Sequence, residues 1–219
     1  MKKGMFLLIV HVAILAFFNM ASAQSLSANM QAAYDACIRI RSSIGSGNLP
    51  GLRSAGKAFK ECNTKDFGSL RCISRNVPSL DGHFVFDDVF IDSLVNGRKV
   101  YKFAQRYADR RRVRGTSGGG YVFDKTCVVK GKSSVKYSLV SKGRQELAVV
   151  TEPGGMVTLR IYDKTHDKWF NDDKSVKKGM PSRYKIIDLP KNERSLLEIE
   201  IINTSDKNIS FVILGSLIK

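Results

Sequence analysis

Few side chains in this 219-residue chain are equipped for chemistry: four cysteines, three histidines and a single tryptophan. Zinc needs cysteines or histidines at short paired spacings such as C-x-x-C. Cys37, Cys62, Cys72 and Cys127 are far apart, and beyond residue 23 the histidines are His83 and His166, so no zinc centre is expected. A serine hydrolase needs Ser, His and an acid to converge. Asp81-Gly82-His83 reads instead as a turn entering a strand. A cysteine nucleophile needs a free thiol, whereas an even number of cysteines in an exported chain points to disulfides. Four cysteines allow three pairings. Cys37 and Cys62 flank the Gly45–Asn48 turn, which selects Cys37–Cys62 and leaves Cys72–Cys127 to tie the helical region to the strand-rich remainder of the chain.

Calcium is the cofactor that the acids come nearest to supporting, because sandwich loops bind it through oxygen ligands. Asp87, Asp88 and Asp92 form one cluster; Asp163, Asp167, Asp172 and Asp173 form another. Neither has the D-x-D-x-D-G spacing of a calcium loop, and Asp in turns bonds its own backbone. No catalytic, cofactor or metal residue is therefore assigned.

Binding chemistry has two candidates. The stretch Tyr162–Phe170, YDKTHDKWF, gathers Tyr162, His166 and Trp169, which could form a stacking platform for a sugar ring. The competing use of Trp169 is to cap an open end of the fold, since large aromatics are usually buried. The second candidate is the basic run Arg110, Arg111, Arg112 and Arg114, with Tyr101, Phe103 and Tyr107 just before it. It could grip the phosphates or sulfates of an anionic polymer, and it competes with a merely solvated face. Gly118-Gly119-Gly120 lacks the Lys-Ser/Thr of a phosphate loop and reads as a linker.

The compartment is written at the start. Lys2 and Lys3 precede an almost wholly apolar run from Met5 to Phe18, and Ala21-Ser22-Ala23 has the small-x-small pattern of a cleavage site. The run is too short to span a bilayer comfortably. Cleavage after Ala23 is expected, giving a secreted or periplasmic protein with no transmembrane span in the mature chain. It removes two lysines and no acids, so the formal charge falls from +16 to +14. Such a charge favours anionic partners and says nothing about fold. Apolar and charged fractions of 43% and 26% belong to a folded globular chain.

The elements follow from periodicity. Met30, Ala33, Tyr34, Cys37, Ile38 and Arg41 recur at helical spacing over Leu26–Ile44, and Gly45–Asn48 ends that helix. Pro50 opens a second helix, with Leu52, Ala55, Ala58, Phe59 and Cys62 on one face, so an antiparallel helical hairpin is expected. A third short helix is expected around Phe67–Ile73. Strands follow at His83–Phe86, Val89–Ile91, Tyr121–Phe123, Thr126–Val129, Val135–Leu139, Leu197–Ile201 and Ile209–Ile213. Leu147–Val150 and Met156–Ile161 flank Pro153-Gly154-Gly155 and are expected to fold back as a hairpin. Arg98–Arg112 fits both periods, and its Ala, Gln and Arg content favours a helix.

Val135–Asp163, a strand, a Lys-Gly turn, ELAVV and then VTLRIYD, together with the later ISFVIL, resembles the bacterial pre-peptidase C-terminal domains. The resemblance runs from Val135 through the C-terminal part of the chain and implies a jelly-roll β-sandwich without an active site, of a kind found as secreted accessory domains. The fold expected is α+β: residues 1–23 a signal peptide, 24–76 a helical hairpin region, 77–219 an antiparallel jelly-roll-like β-sandwich. The function expected is a secreted, non-catalytic binding or adhesion module for glycan or a cell surface. A basic surface protein that binds anionic polymer is the alternative, and a hydrolase or hydrolase accessory domain comes third.

Overall fold

A computed structural model describes residues 25–86, 88–95, 121–172, 179–190 and 192–217. Helices α1 (Ala28–Gly45) and α2 (Leu49–Glu61) form the expected hairpin. Asn48 caps α2 by accepting from the Gly51 amide at 3.0 Å, and Pro50 occupies the first turn, where no amide donor is required. A further helix, α3 (Asp88–Val95), packs on α2.

The described strands form two five-stranded sheets. Sheet A runs in the order β1 (Lys65–Asp66), β3 (Val122–Val129), β10 (Ile209–Leu217), β5 (Arg144–Thr151), β8 (Ser182–Asp188). Sheet B runs β2 (Arg71–Cys72), β4 (Ser133–Lys142), β9 (Arg194–Asn203), β6 (Thr158–Asp163), β7 (Lys168–Asp172). Only β1–β3 is parallel among these pairings. The expected α+β architecture, helices first and an antiparallel sandwich after, is what the chain forms.

Alternation decides the layers. Leu147, Val149, Phe211, Ile213 and Cys127 of sheet A face Tyr137, Leu159, Ile161, Leu197 and Ile199 of sheet B across the sandwich core. The residues between them, Ala148, Val150, Val212, Leu214 and Val122, point the other way, against Met30, Ala33, Cys37, Ile40, Leu52 and Phe59 of the helices. Sheet A is thus covered on both faces, and β5 is buried along nearly its whole length. Such a strand loses the period of two and reads as an unbroken apolar run.

Several expectations need correction. Leu147–Val150 and Met156–Ile161 do not form a hairpin: β5 lies in sheet A and β6 in sheet B, so Pro153-Gly154-Gly155 is an arch between sheets. Two runs that each need burial on the core side gain more from facing each other across the sandwich than from lying side by side. The same crossing occurs at Gly143, whose φ of +66° lets the chain turn from β4 into β5 in one residue. Phe67–Ile73 is not a helix. It follows directly on β1 of sheet A and supplies β2 to sheet B, with Phe67 and Leu70 fully buried between the sheets. His83–Phe86 is irregular, and Val89–Ile91 belongs to helix α3. Tyr121–Phe123 and Thr126–Val129 merge into the single strand β3, which begins at Val122. Strands β7 and β8 carry too few buried apolar residues to show a pattern in the sequence. Arg98–Arg112 lies outside the described residues.

The helical layer is fastened at its first turn. Glu146, wholly buried in β5, accepts the Ser27 amide at 2.7 Å, the Ser27 hydroxyl at 2.6 Å and the Ser216 hydroxyl at 2.5 Å. The carboxylate therefore lies against the positive end of the α1 dipole, where a negative charge is favoured.

Candidate functional site

Nothing among the described residues packs on the outer face of sheet B in the way the helices pack on sheet A. Register places this face in cross-strand rows, because opposed residues of an antiparallel pair share a face. One row contains Ser138, Glu198, Tyr162 and Trp169; the next contains Lys136, Glu200, Arg160 and Asp172. Ion pairs join them. Lys136 Nζ donates to Glu198 at 2.8 Å, Lys164 Nζ approaches Glu198 at 2.6 Å, and Arg160 donates to Glu200 at 2.7 Å and Asp172 at 2.9 Å. The Lys136 pair raises the lysine pKa, and Lys136 with Lys164 holds Glu198 below the ordinary carboxylate value. Arg160, only 16% exposed, is held between two acids, which fixes its guanidinium.

At the end of these rows stands an aromatic pair. Tyr162 and Trp169 face each other across β6–β7 with ring centroids 4.9 Å apart, and the Arg160 guanidinium lies 4.3 Å from the Trp169 ring centre. Trp169 is 43% exposed on edge strand β7 and does not cap an end of the sandwich. The Tyr162 hydroxyl donates to Asp167. The fold therefore joins Tyr162 and Trp169, as the YDKTHDKWF stretch suggested, and adds Arg160, whose role depends on a cross-strand register that the sequence does not display.

His166 belongs to a different cluster. Its Nδ1 lies 2.8 Å from Asp163 Oδ2 and 3.0 Å from Ser195 Oγ, and its Nε2 lies 3.3 Å from Glu193. Ser195 Oγ also donates to Asp163 Oδ2 at 2.9 Å. Serine, histidine and aspartate thus converge, but not as a charge-relay triad. In a triad the serine and the acid meet opposite ring nitrogens; here both crowd Nδ1, and Ser195 is 1% exposed, closed to any substrate. The cluster fastens the β6–β7 turn to β9, helped by the Leu196 amide donating to Thr165 Oγ1 at 2.9 Å.

Its protonation has a sign that can be measured. The Asp163 hydrogen bond, then the surrounding negative charge of Asp163 and Glu193, raises the His166 pKa above its ordinary value. Burial pushes Asp163 up, but the His166 ring, the Ser195 hydroxyl and the amides of Thr165 and His166 outweigh it and hold the carboxyl low. The His166 contribution to stability is complete below the unfolded value of about 6.5 and is lost as pH rises through the higher folded value. His166→Gln is therefore expected to lower the melting temperature at pH 6 and to converge on the parent at pH 9. A constant difference between the two pH values would contradict this.

The other candidates divide. Asp163, Asp167 and Asp172 are engaged by His166 and Ser195, by Tyr162 and by Arg160 respectively. Asp87 and Asp173 lie outside the described residues, as do Arg110, Arg111, Arg112 and Arg114. Among the described residues no group of three His, Cys, Asp or Glu side chains could hold a metal ion. No described helix is long and apolar enough to cross a membrane. The expected Cys37–Cys62 and Cys72–Cys127 disulfides are not formed in this structure: all four cysteines are free thiols, with Cys37 and Cys127 buried, Cys62 half-buried and Cys72 exposed.

Fold and site together define an α+β protein in which a helical layer covers one face of a β-sandwich, and among the described residues nothing covers the opposite face. No protein-family model and no curated protein matches the chain. Among solved structures, the Yersinia pseudotuberculosis-derived mitogen aligns at 11% identity over 46% of this chain and 89% of its own, with a TM-score of 0.35. The Aeromonas hydrophila periplasmic inhibitor of g-type lysozyme aligns at 12% identity over 47% of this chain and 91% of its own, with a TM-score of 0.31. These are partial likenesses of strand arrangement, and they carry no argument about activity.

Proposed function

We propose that the chain is an exported, non-catalytic binding module that takes carbohydrate on the open face of sheet B. The observation that carries this is the Trp169–Tyr162 pair at the end of a fixed polar row. A sugar ring presents an apolar face, suited to an exposed indole, and a rim of hydroxyls, suited to donors and acceptors already held in place. Lys136, Arg160, Glu198 and Glu200 supply both kinds, and their mutual ion pairs limit the ordering cost of binding. Export rests on the leader pattern of residues 1–23, with cleavage after Ala23, and the resemblance to secreted accessory domains agrees with it.

Titration against a set of glycans tests the reading, followed by Trp169 fluorescence in the parent and by calorimetry in the variant that lacks this single tryptophan. Trp169→Ala is expected to weaken binding by roughly tenfold to thirtyfold, the usual cost of losing an aromatic anchor, with little change in melting temperature. Undiminished affinity in Trp169→Ala would move the site elsewhere. Saccharide turnover abolished by replacing one carboxylate would make the protein a hydrolase.

A further inference from the structure

We infer that residues 62–72 form a clasp across the three layers, locked at its two ends by separate disulfides, Cys37–Cys62 in the helical layer and Cys72–Cys127 inside the sandwich. The segment leaves α2 at its C-cap, Cys62, pairs with β3 through β1, buries Phe67 and Leu70 in the sandwich core, and enters sheet B as β2, ending at Cys72. Its two strands are only two residues long each, so backbone pairing alone holds it weakly.

Sheet A selects the pairing among the three that four cysteines permit. Cys37 and Cys62 belong to the apolar cluster between the helices and sheet A. Cys127 belongs to the cluster on the other side of that sheet. Cys72 is paired in register with Tyr137, whose side chain is in the same sandwich core, so Cys72 lies on the core side of edge strand β2, where it remains exposed. A Cys37–Cys127 or Cys62–Cys127 bridge would have to pass through sheet A.

Cys37 and Cys62 thus share one apolar cluster, and Cys72 is held in register beside Tyr137, which packs in the same core as Cys127. Cys37 feels the charge of Cys62, and Cys127 that of Cys72. The buried Tyr137 hydroxyl lies beside the Cys127 sulfur without meeting it in good hydrogen-bond geometry. The second bridge therefore joins sheet A to sheet B, because Cys72 is already part of the sandwich and not of the helical region.

Each pair also combines one accessible thiol with one buried thiol: Cys72 with Cys127, and Cys62 with Cys37. Burial raises the pKa of Cys37, Cys62 and Cys127, the last to about 11. The accessible member then reacts first. Its thiolate attacks one sulfur of a small disulfide oxidant, forming a mixed disulfide and expelling one thiolate. The buried partner loses its proton and attacks the cysteine sulfur of that mixed disulfide, forming the protein bridge and expelling the second thiolate. Two protein thiols are oxidised and one disulfide is reduced to two thiols.

The test is to incubate the full purified chain with oxidised glutathione, alkylate, digest without reductant and map the linked peptides. Cys37–Cys62 and Cys72–Cys127 peptides are expected, with no free thiol left, and reduction should lower the melting temperature by about 10 °C per bridge. In Cys72→Ser, Cys127 should remain the single free thiol while Cys37–Cys62 still forms. A linked peptide joining Cys37 or Cys62 to Cys72 or Cys127 would overturn the inference, as would four free thiols in the folded chain after oxidation.

Discussion

Replacing Glu146 by Ala is expected to destabilise the fold by about 3–5 kcal/mol, the range for removing one member of a buried charged network. The carboxylate has no solvent contact and accepts three hydrogen bonds, two from Ser27 and one from Ser216, with Arg144 Nη2 at 3.6 Å from it. Its loss orphans the Ser27 amide at the first turn of α1 and the Ser216 hydroxyl in β10. Each buried donor without a partner costs about 1–3 kcal/mol. Glu146→Gln keeps the shape and one acceptor oxygen, so it should recover part of the loss. Chemical denaturation of the three proteins measures this. A loss under about 1 kcal/mol in the alanine variant would mean that the apolar contacts of α1 alone dock the helical layer, since a buried hydrogen bond is worth about that much.

The second large effect lies where the clasp passes under β10. Phe67 is fully buried, and its ring occupies the space that a side chain at position 215 would need; Gly215 is a glycine because a Cβ there would overlap that ring. Phe67→Ala should cost about 3–5 kcal/mol through lost burial and the cavity left behind. Gly215→Ala should cost about 1–3 kcal/mol through overpacking, because an aromatic ring confined between two sheets has nowhere to turn. The two changes meet in one volume, so they should not add. In the double variant the new methyl enters the vacated space, and the total should fall below the sum of the singles by an amount of order 1 kcal/mol. Strict additivity in a double-mutant cycle would show that the two positions do not share that contact in solution.

Where local pattern and final environment agree, the sequence by itself determined the outcome. The helical hairpin was legible because Met30, Ala33, Tyr34, Cys37 and Ile38 recur at helical spacing, and Met30, Ala33 and Cys37 are buried against sheet A. Strands β4 and β9 were legible because one face meets the core and the other meets water, so apolar and polar residues alternate. The aromatic pair was visible as a composition, Tyr162 and Trp169 in one short stretch. Tertiary structure decided the rest. The Phe67–Ile73 run carries apolar residues at spacings that a helix would also accept, and only the open sides of two sheets made it a clasp. Pro153-Gly154-Gly155 announces a turn but not whether the chain returns beside itself or crosses to the facing sheet, since Pro and Gly serve turns of either kind. Arg160 joined Trp169, and His166 left it for Asp163 and Ser195, through contacts set by cross-strand register. Register is a relation between segments far apart in the chain. Local residue type records which positions need burial, but not which distant partner provides it.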